Sequence, residues 1–109
     1  TFLRDRFAAN STASLVAIAQ ALCDAPDLVD RVRAAGMPVQ VLHGENDDAW
    51  PAEVQEEMAT ALRALRSCIP GAAHSPAVEA PATTAEALTD FWDAAEGAGH
   101  PAATTVRSV

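Results

Sequence analysis

Two residues in the middle of the chain have the chemistry of an acid–base pair. Asp47 lies in a polar turn that follows an apolar run, and His74 lies in a second turn that follows another apolar run. A carboxylate that accepts a hydrogen bond from imidazole Nδ1–H fixes the tautomer of the ring and stabilises the imidazolium that forms when Nε2 takes a proton. Asp47 and His74 could therefore assist a nucleophile, provided that the fold brings them together.

Both residues are expected just beyond the carboxyl ends of β-strands. Residues 39–43 are apolar and partly β-branched, as in a buried parallel strand, and a shorter run at 67–69 stops at a Pro-Gly pair. Residues 51–65 between them have helical periodicity, with glutamates early and arginines late. Neighbouring parallel strands lie about 4.8 Å apart, so a right-handed crossover would put both turns at the same edge of the sheet.

Helical periodicity in the rest of the chain predicts further helices. The predicted order of elements is helix, helix, strand, helix, strand, helix, which is an α/β protein. The same periodicity predicts a helix that begins near Asn10 or Ser11, a shorter one that Gly36 ends, and a last helix opened by a capping box of Thr83 and Glu86. The predicted apolar faces are Val54, Met58, Ala61, Leu62 and Leu65 on the crossover helix, and Leu88, Phe91, Trp92 and Ala95 on the last helix.

Composition limits the partners that the chain could have. It has 109 residues, 50% of them hydrophobic, and a formal net charge of −8. The acidity disfavours nucleic acid, which binds basic surfaces, and no apolar run is long enough to cross a membrane. Cys23 and Cys68 have no metal or redox spacing, and we expect two buried, reduced thiols of a cytoplasmic protein. No cofactor is indicated.

Taken together, the two turns resemble the closing segment of α/β-hydrolase-fold enzymes. The resemblance is carried by residues 39–51 (VQVLHGENDDAWP) and by residues 69–81 (IPGAAHSPAVEAP). It implies that Asp47 is the acid of a catalytic triad, that His74 is its general base, and that the substrate is a small molecule, most simply a carboxylic ester.

The same resemblance divides the chain and implies that parts of the fold are missing. Residues 1–35 would be the end of a lid region and a helix that returns to the core, 36–96 the C-terminal part of the core, and 97–109 a frayed tail. In this family the nucleophile precedes the acid on a G-x-S-x-G turn, and no serine here has that context. Two parallel strands are also too few for an independent sheet. We therefore expect a fragment or one chain of a split enzyme, inactive alone, whose partner is the N-terminal portion of the same fold.

Other functions fit the same motifs. A haloalkane dehalogenase, an epoxide hydrolase or a haloperoxidase of this fold would share the acid and base motifs, and its nucleophile would lie upstream. A non-catalytic α/β module could instead bind a partner through its open sheet edge. The residues upstream of Thr1 would separate these possibilities, since Ser or Asp at the nucleophile position indicates different chemistry.

Several side chains around the first turn have more than one interpretation. The candidate metal ligands are His43, Glu45, Asp47 and Asp48. No metal is expected, because His43 points into an apolar strand end and because the resemblance gives Asp47 another role. Trp50 follows the acid turn and could bind substrate or pack against the fold. Glu79 is expected to serve the start of the last helix.

Overall fold

The chain folds into two parallel strands with helices around them. The computed structural model describes residues 1–99. In chain order its elements are α1 (Phe2–Ala8), α2 (Thr12–Asp24), α3 (Val29–Ala34), β1 (Gln40–Gly44), α4 (Ala52–Leu62), β2 (Leu65–Ile69), α5 (Pro76–Glu79) and α6 (Pro81–Gly99). The mixed α/β class is confirmed. Two short helices, α1 and α5, were not predicted. The predicted tail of 97–109 is wrong for its first three residues, which end α6, and its remainder lies outside the described residues.

The two strands end level with each other. β1 and β2 pair in parallel, and their register sets Gln40 opposite Leu65 and Gly44 opposite Ile69. One further bond continues the ladder beyond β1, since the Glu45 amide donates to the Ile69 carbonyl at 3.0 Å. The turns that follow the two strands therefore begin side by side, as the strand order predicted.

Helix α4 connects the strands and turns a different face to the sheet from the predicted one. Its buried residues are Gln55 and Ala59, whereas Val54 is exposed. Gln55 can be buried because its amide is hydrogen-bonded, as described below, and a small alanine lets the helix approach the sheet closely. The helix ends at Leu62 because Arg63 adopts left-handed backbone angles, with φ of 54°. Leu65, which was predicted to be in this helix, lies in β2.

Helix α6 begins earlier than its predicted cap. Pro81 occupies its first turn, where a missing N–H costs nothing. Thr83 and Glu86 are therefore inside the helix, and the predicted capping box is wrong. The neighbouring Thr84 is buried, and its hydroxyl donates to the Pro76 carbonyl at 3.0 Å. The predicted buried face divides into partly buried Leu88, Phe91 and Ala95 and exposed Trp92.

The helices that precede β1 contribute little to the core. Ser11 caps α2 as predicted, since its hydroxyl accepts from the Ser14 amide at 3.1 Å, and Gly36 follows α3 with φ of 68°. Neither α1 nor α2 has a buried residue. The radius of gyration is 18.5 Å, compared with about 13 Å for a compact domain of 100 residues. Helices α1 and α2 therefore form an extended arm.

Two predictions made from composition can be compared with the structure. Cys23 and Cys68 are free but exposed, so the expectation that they are buried is wrong. Cys23 lies in α2, which buries no residue, and Cys68 occupies an exposed position of β2. From residue 1 to residue 99, no helix is both long enough and apolar enough to span a membrane.

Candidate functional site

The site lies beyond the carboxyl ends of β1 and β2 and is formed by two loops. We call residues 45–51 the acid loop and residues 70–75 the base loop. The base loop lies against the start of the acid loop, because an added Cβ on Gly44, the last residue of β1, would overlap the backbone oxygens of Ala72 and Ala73. The Asn46 amide also donates to the Ala72 carbonyl at 2.8 Å. Only glycine at position 44 allows this close approach.

Asp47 organises the acid loop around its own carboxylate. Its Oδ1 accepts from the backbone amides of Ala49 at 3.0 Å and Trp50 at 3.1 Å, which is the local turn that aspartate favours. Its Oδ2 accepts from Gln55 Nε2 at 3.1 Å. The side chain is only 7% exposed. Gln55 Nε2 also donates to the Trp50 carbonyl at 2.9 Å, so this glutamine connects both ends of the turn.

These hydrogen bonds keep Asp47 ionised. The backbone N–H of Trp50 is the largest cause that lowers the pKa of Asp47 from 3.8 to about 2. Bonds from His74, Ala49 and Gln55 act in the same direction, and desolvation by burial opposes them. At neutral pH Asp47 therefore carries a full negative charge that can only accept hydrogen bonds.

His74 completes the contact between the loops. Its Nδ1 lies 3.1 Å from Asp47 Oδ1. Because the carboxylate is an acceptor only, Nδ1 carries the proton and donates it, and in the neutral ring Nε2 has a free lone pair. The His74 side chain is 56% exposed, in contrast to its partner. The arrangement can therefore take a proton at Nε2 from a group that approaches from outside this chain.

Carboxylates from outside the base loop hold its backbone. Glu45 Oε2 accepts from the Gly71 amide at 2.9 Å. Glu79 Oε2 accepts from the amides of Ala73 at 3.0 Å and Ser75 at 2.9 Å. The expectation that Glu79 serves the start of the last helix is therefore wrong, because Glu79 ends α5 and its carboxylate turns back to the base loop.

The backbone of Trp50 belongs to the acid loop, whereas its side chain lines a separate groove. Its peptide group bonds to Asp47 and Gln55, whereas its indole, 59% exposed, lines an open groove of about 710 Å³. The apolar residues that share this groove include Leu22, Leu28, Val32, Val54 and Met58. Neither Asp47 nor His74 lines it. The Trp50 indole is therefore part of this groove and not of the contact between the acid and the base.

The four candidate metal ligands do not converge. His43 is 2% exposed, and its Nδ1 lies 2.9 Å from the carbonyl oxygen of Gly44. Glu45 and Asp47 bind different atoms of the base loop, as given above, and Asp48 is exposed. Over residues 1–99, no three His, Cys, Asp or Glu side chains are grouped so that they could hold a metal ion.

Three residues of the site were not predicted from the sequence. Gln55 was given no role, Glu79 was assigned to the start of the last helix, and Glu45 was considered only as a metal ligand. Gln55 had a detectable signal, because a residue at i and an alanine at i+4 can share the sheet-facing side of a helix. For Glu79 no periodic pattern exists, because its partners are backbone amides of a loop.

The chain is similar to part of a curated enzyme. It is 40% identical over 84 residues to 2-succinyl-6-hydroxy-2,4-cyclohexadiene-1-carboxylate synthase of Enterobacter sp. (strain 638). The alignment covers 75% of this chain and 31% of that protein, so the chain spans less than a third of the length of the relative it matches. No family model matches the chain, and no solved structure matches it.

Proposed function

We propose that Asp47 and His74 are the acid and the general base of an α/β-hydrolase-fold enzyme that acts on carboxylic esters. The observation that carries this proposal is the 3.1 Å hydrogen bond between Asp47 Oδ1 and His74 Nδ1. It joins two loops that leave neighbouring parallel strands at the same level, where active sites of open α/β sheets form. The similarity to part of an enzyme of this fold supports the same assignment.

In this mechanism each residue has one task. His74 Nε2 takes a proton from an attacking hydroxyl and later gives it to the leaving alcohol. Asp47 holds the ring by Nδ1–H and stays charged while the imidazolium forms, because the pKa of Asp47 is about 2. The ion pair is therefore strongest when the positive charge on the ring appears.

The nucleophile and the oxyanion hole are proposed to lie outside this chain. Ser75 is adjacent to His74 in sequence, and its amide is bound by Glu79. A hydroxyl next to the base on a loop that enters Pro76 is poorly placed to meet Nε2 with a carbonyl between them. Without a positioned nucleophile and oxyanion donors, most of the rate enhancement is absent. We therefore expect the chain alone to be inactive.

Trp50 is proposed to contact the substrate from the groove that it lines. The groove is predominantly apolar, as are most small-molecule sites, and it would suit a hydrocarbon part of an ester. Trp50→Ala should then raise KM with a smaller change in kcat, since the indole does not touch the acid or the base.

A second candidate function is the reaction named for the Enterobacter relative, which the 40% identity favours. Its named product has carboxylate groups, and enzymes usually bind such groups with arginine or lysine. Within the described residues, Arg33 is paired with Asp30 and Arg66 with Glu56. These two arginines are therefore already engaged within the chain, whereas ester hydrolysis needs no cation of this kind.

Complementation tests both candidates. The chain is combined with the part of the Enterobacter protein that lies outside the aligned region, and hydrolysis of p-nitrophenyl acetate is compared with formation of the relative's named product from that enzyme's substrate. We expect ester hydrolysis only in the combined protein, and we expect His74→Ala to abolish it. Ser75→Ala is the matched control, because the Ser75 side chain makes no capping bond.

Each outcome of this test is informative. Product formation without ester hydrolysis would favour the second candidate. Hydrolysis by the chain alone that is lost in both His74→Ala and Ser75→Ala would contradict an external nucleophile. Inactivity of the combined protein in both assays would favour the non-catalytic module.

A further inference from the structure

We propose that Glu79 is a positioning residue for His74, and this inference rests on the proposed role of His74 as general base. A single oxygen, Glu79 Oε2, accepts hydrogen bonds from the amides of Ala73 at 3.0 Å and Ser75 at 2.9 Å. These two amides belong to the residues on either side of His74. Glu79 thus reaches His74 through the backbone and not through the ring.

The two bonds fix the position and direction of the His74 Cα–Cβ bond, from which the imidazole extends. Peptide planes before and after a residue set the direction of its Cα–Cβ bond, and here a carboxylate tethers the neighbouring amides on both sides. Hydrogen bonds to a carboxylate are stronger than neutral ones. With the backbone held, the 3.1 Å bond from His74 Nδ1 to Asp47 sets the remaining side-chain torsions, and the direction of Nε2 is determined.

Capping of α5 explains only half of this arrangement. Ser75 is the N-cap of α5, and a glutamate that reaches back to the N-cap amide is a known helix-start contact. The Ala73 amide lies before that cap and takes no part in the helix. The contact is instead centred on His74, which lies between the two bound amides. That geometry points to a role in orienting the base.

The direct test is the imidazole ¹⁵N NMR spectrum of His74 in the 109-residue chain. The unchanged chain should have the Nδ1-protonated tautomer, because Nδ1 donates to Asp47. Glu79→Ala should shift the ring toward a mixture of tautomers, and Glu79→Gln should restore most of the original spectrum, because an amide oxygen can still accept both bonds. Glu86→Ala, which removes an exposed glutamate from α6, should leave the spectrum unchanged.

A folding defect does not block this test. If Glu79→Ala fails to fold, Glu79→Asp keeps the charge but shortens the reach, and it should give the same shift in tautomer. An unchanged His74 spectrum in whichever of these two variants folds would overturn the inference.

Activity of the combined protein separates positioning from binding. Glu79→Ala should lower kcat about 10²-fold, as a misplaced catalytic group does, while KM changes less than about twofold. Glu79→Gln should recover most of kcat. If the NMR signature changes but kcat is the same in Glu79→Ala and in Asp47→Asn as in the unchanged protein, then the proposed function of His74 is wrong, and its positioning by Glu79 is supported.

Discussion

The acid loop and the base loop meet at one hydrogen bond but are stabilised in opposite ways. In the acid loop, the carboxylate of Asp47 binds the loop's own amides at Ala49 and Trp50 and also binds the base. In the base loop, His74 binds none of the loop's amides. Glu45 accepts from the Gly71 amide, and Glu79 accepts from the amides of Ala73 and Ser75.

The difference follows from the hydrogen-bonding capacity of the two side chains. A carboxylate has about four acceptor positions, so Asp47 can anchor a turn and still accept from an imidazole. A neutral imidazole has one donor and one acceptor, and a general base needs both, one for its orienting partner and one for the proton. A loop that carries a catalytic histidine therefore needs anchors from other residues.

The largest predicted effect comes from removing the charge that serves both loops. In the combined protein, Asp47→Asn should lower kcat about 10⁴-fold, because an amide in place of the acid favours the wrong imidazole tautomer. The matched control is Asp48→Asn, since Asp48 is the exposed neighbour in the same loop, and it should have a much smaller effect. Steady-state ester hydrolysis measures both variants. A reversed order would assign the acid to Asp48.

A second substitution tests the contact between the loops without removing a functional group. Gly44→Ala inserts a Cβ where the backbone oxygens of Ala72 and Ala73 lie, so the base loop must move away. We expect a loss of about 1–3 kcal/mol in the free energy of unfolding, as in other overpacked sites, and a fall in kcat of about 10²-fold. Urea unfolding and ester hydrolysis measure the two effects.

Gly97→Ala is the control for this substitution. An added Cβ at Gly97 meets nothing within 4 Å, and alanine has the higher helix propensity, so stability should be equal or slightly greater. If Gly44→Ala is as harmless as Gly97→Ala, the loops are not in the close contact described.

A similar loss of stability is predicted for the side chain that supports the acid loop from α4. Gln55 is 8% exposed, and Gln55→Leu would remove the donor to Asp47 Oδ2 and to the Trp50 carbonyl. Leaving buried acceptors without a donor costs about 1–3 kcal/mol, and the pKa of Asp47 should rise. Urea unfolding measures the first effect and NMR titration the second. Gln20→Leu, on the exposed face of α2, should change stability by less than about 0.5 kcal/mol.

These comparisons also explain which parts of the site the sequence could predict. Asp47 and His74 follow directly after apolar runs, so strand order alone places their loops side by side. Gln55 was missed because a polar residue in a helix is normally assigned to solvent, and its burial depends on partners in another loop. Glu79 was missed because its partners are backbone amides, which leave no pattern in the sequence, and because α5 itself was too short to predict.

The same distinction applies to the fold. The two strands and the crossover helix were predictable because each has a clear hydrophobic pattern. Their order along the chain then indicated the mixed α/β class. The arm was only partly predictable, since the apolar Phe2, Leu3 and Phe7 of α1 have no clean period and α1 buries none of them. The cysteines were assigned to the interior by residue type and Trp92 by helical periodicity. The exposure of all three depends on tertiary contacts that neither signal contains.

The smallest predicted effect is the pH dependence of stability that Asp47 alone contributes. The pKa of Asp47 is about 2 in the folded chain, below its ordinary value of 3.8. Because the folded value is the lower one, ionisation of this group favours folding, and its contribution is complete above about pH 5 and is lost progressively as the pH falls through about 4 toward about 2. An asparagine at position 47 does not ionise and so makes no pH-dependent contribution to stability, although its carbonyl oxygen can still accept from the amides of the turn.

The measurement is the urea midpoint of the unchanged chain, Asp47→Asn and Asp48→Asn between about pH 2 and pH 6. The difference between the unchanged chain and Asp47→Asn should be constant above about pH 5 and should shrink as the pH falls through the range from about 4 to 2. The difference in urea midpoint between the unchanged chain and Asp48→Asn should not shrink in this way. A difference that persists undiminished to pH 2 would mean that Asp47 stabilises the acid loop by its shape and hydrogen-bond acceptors, and that its charge matters only when His74 takes a proton.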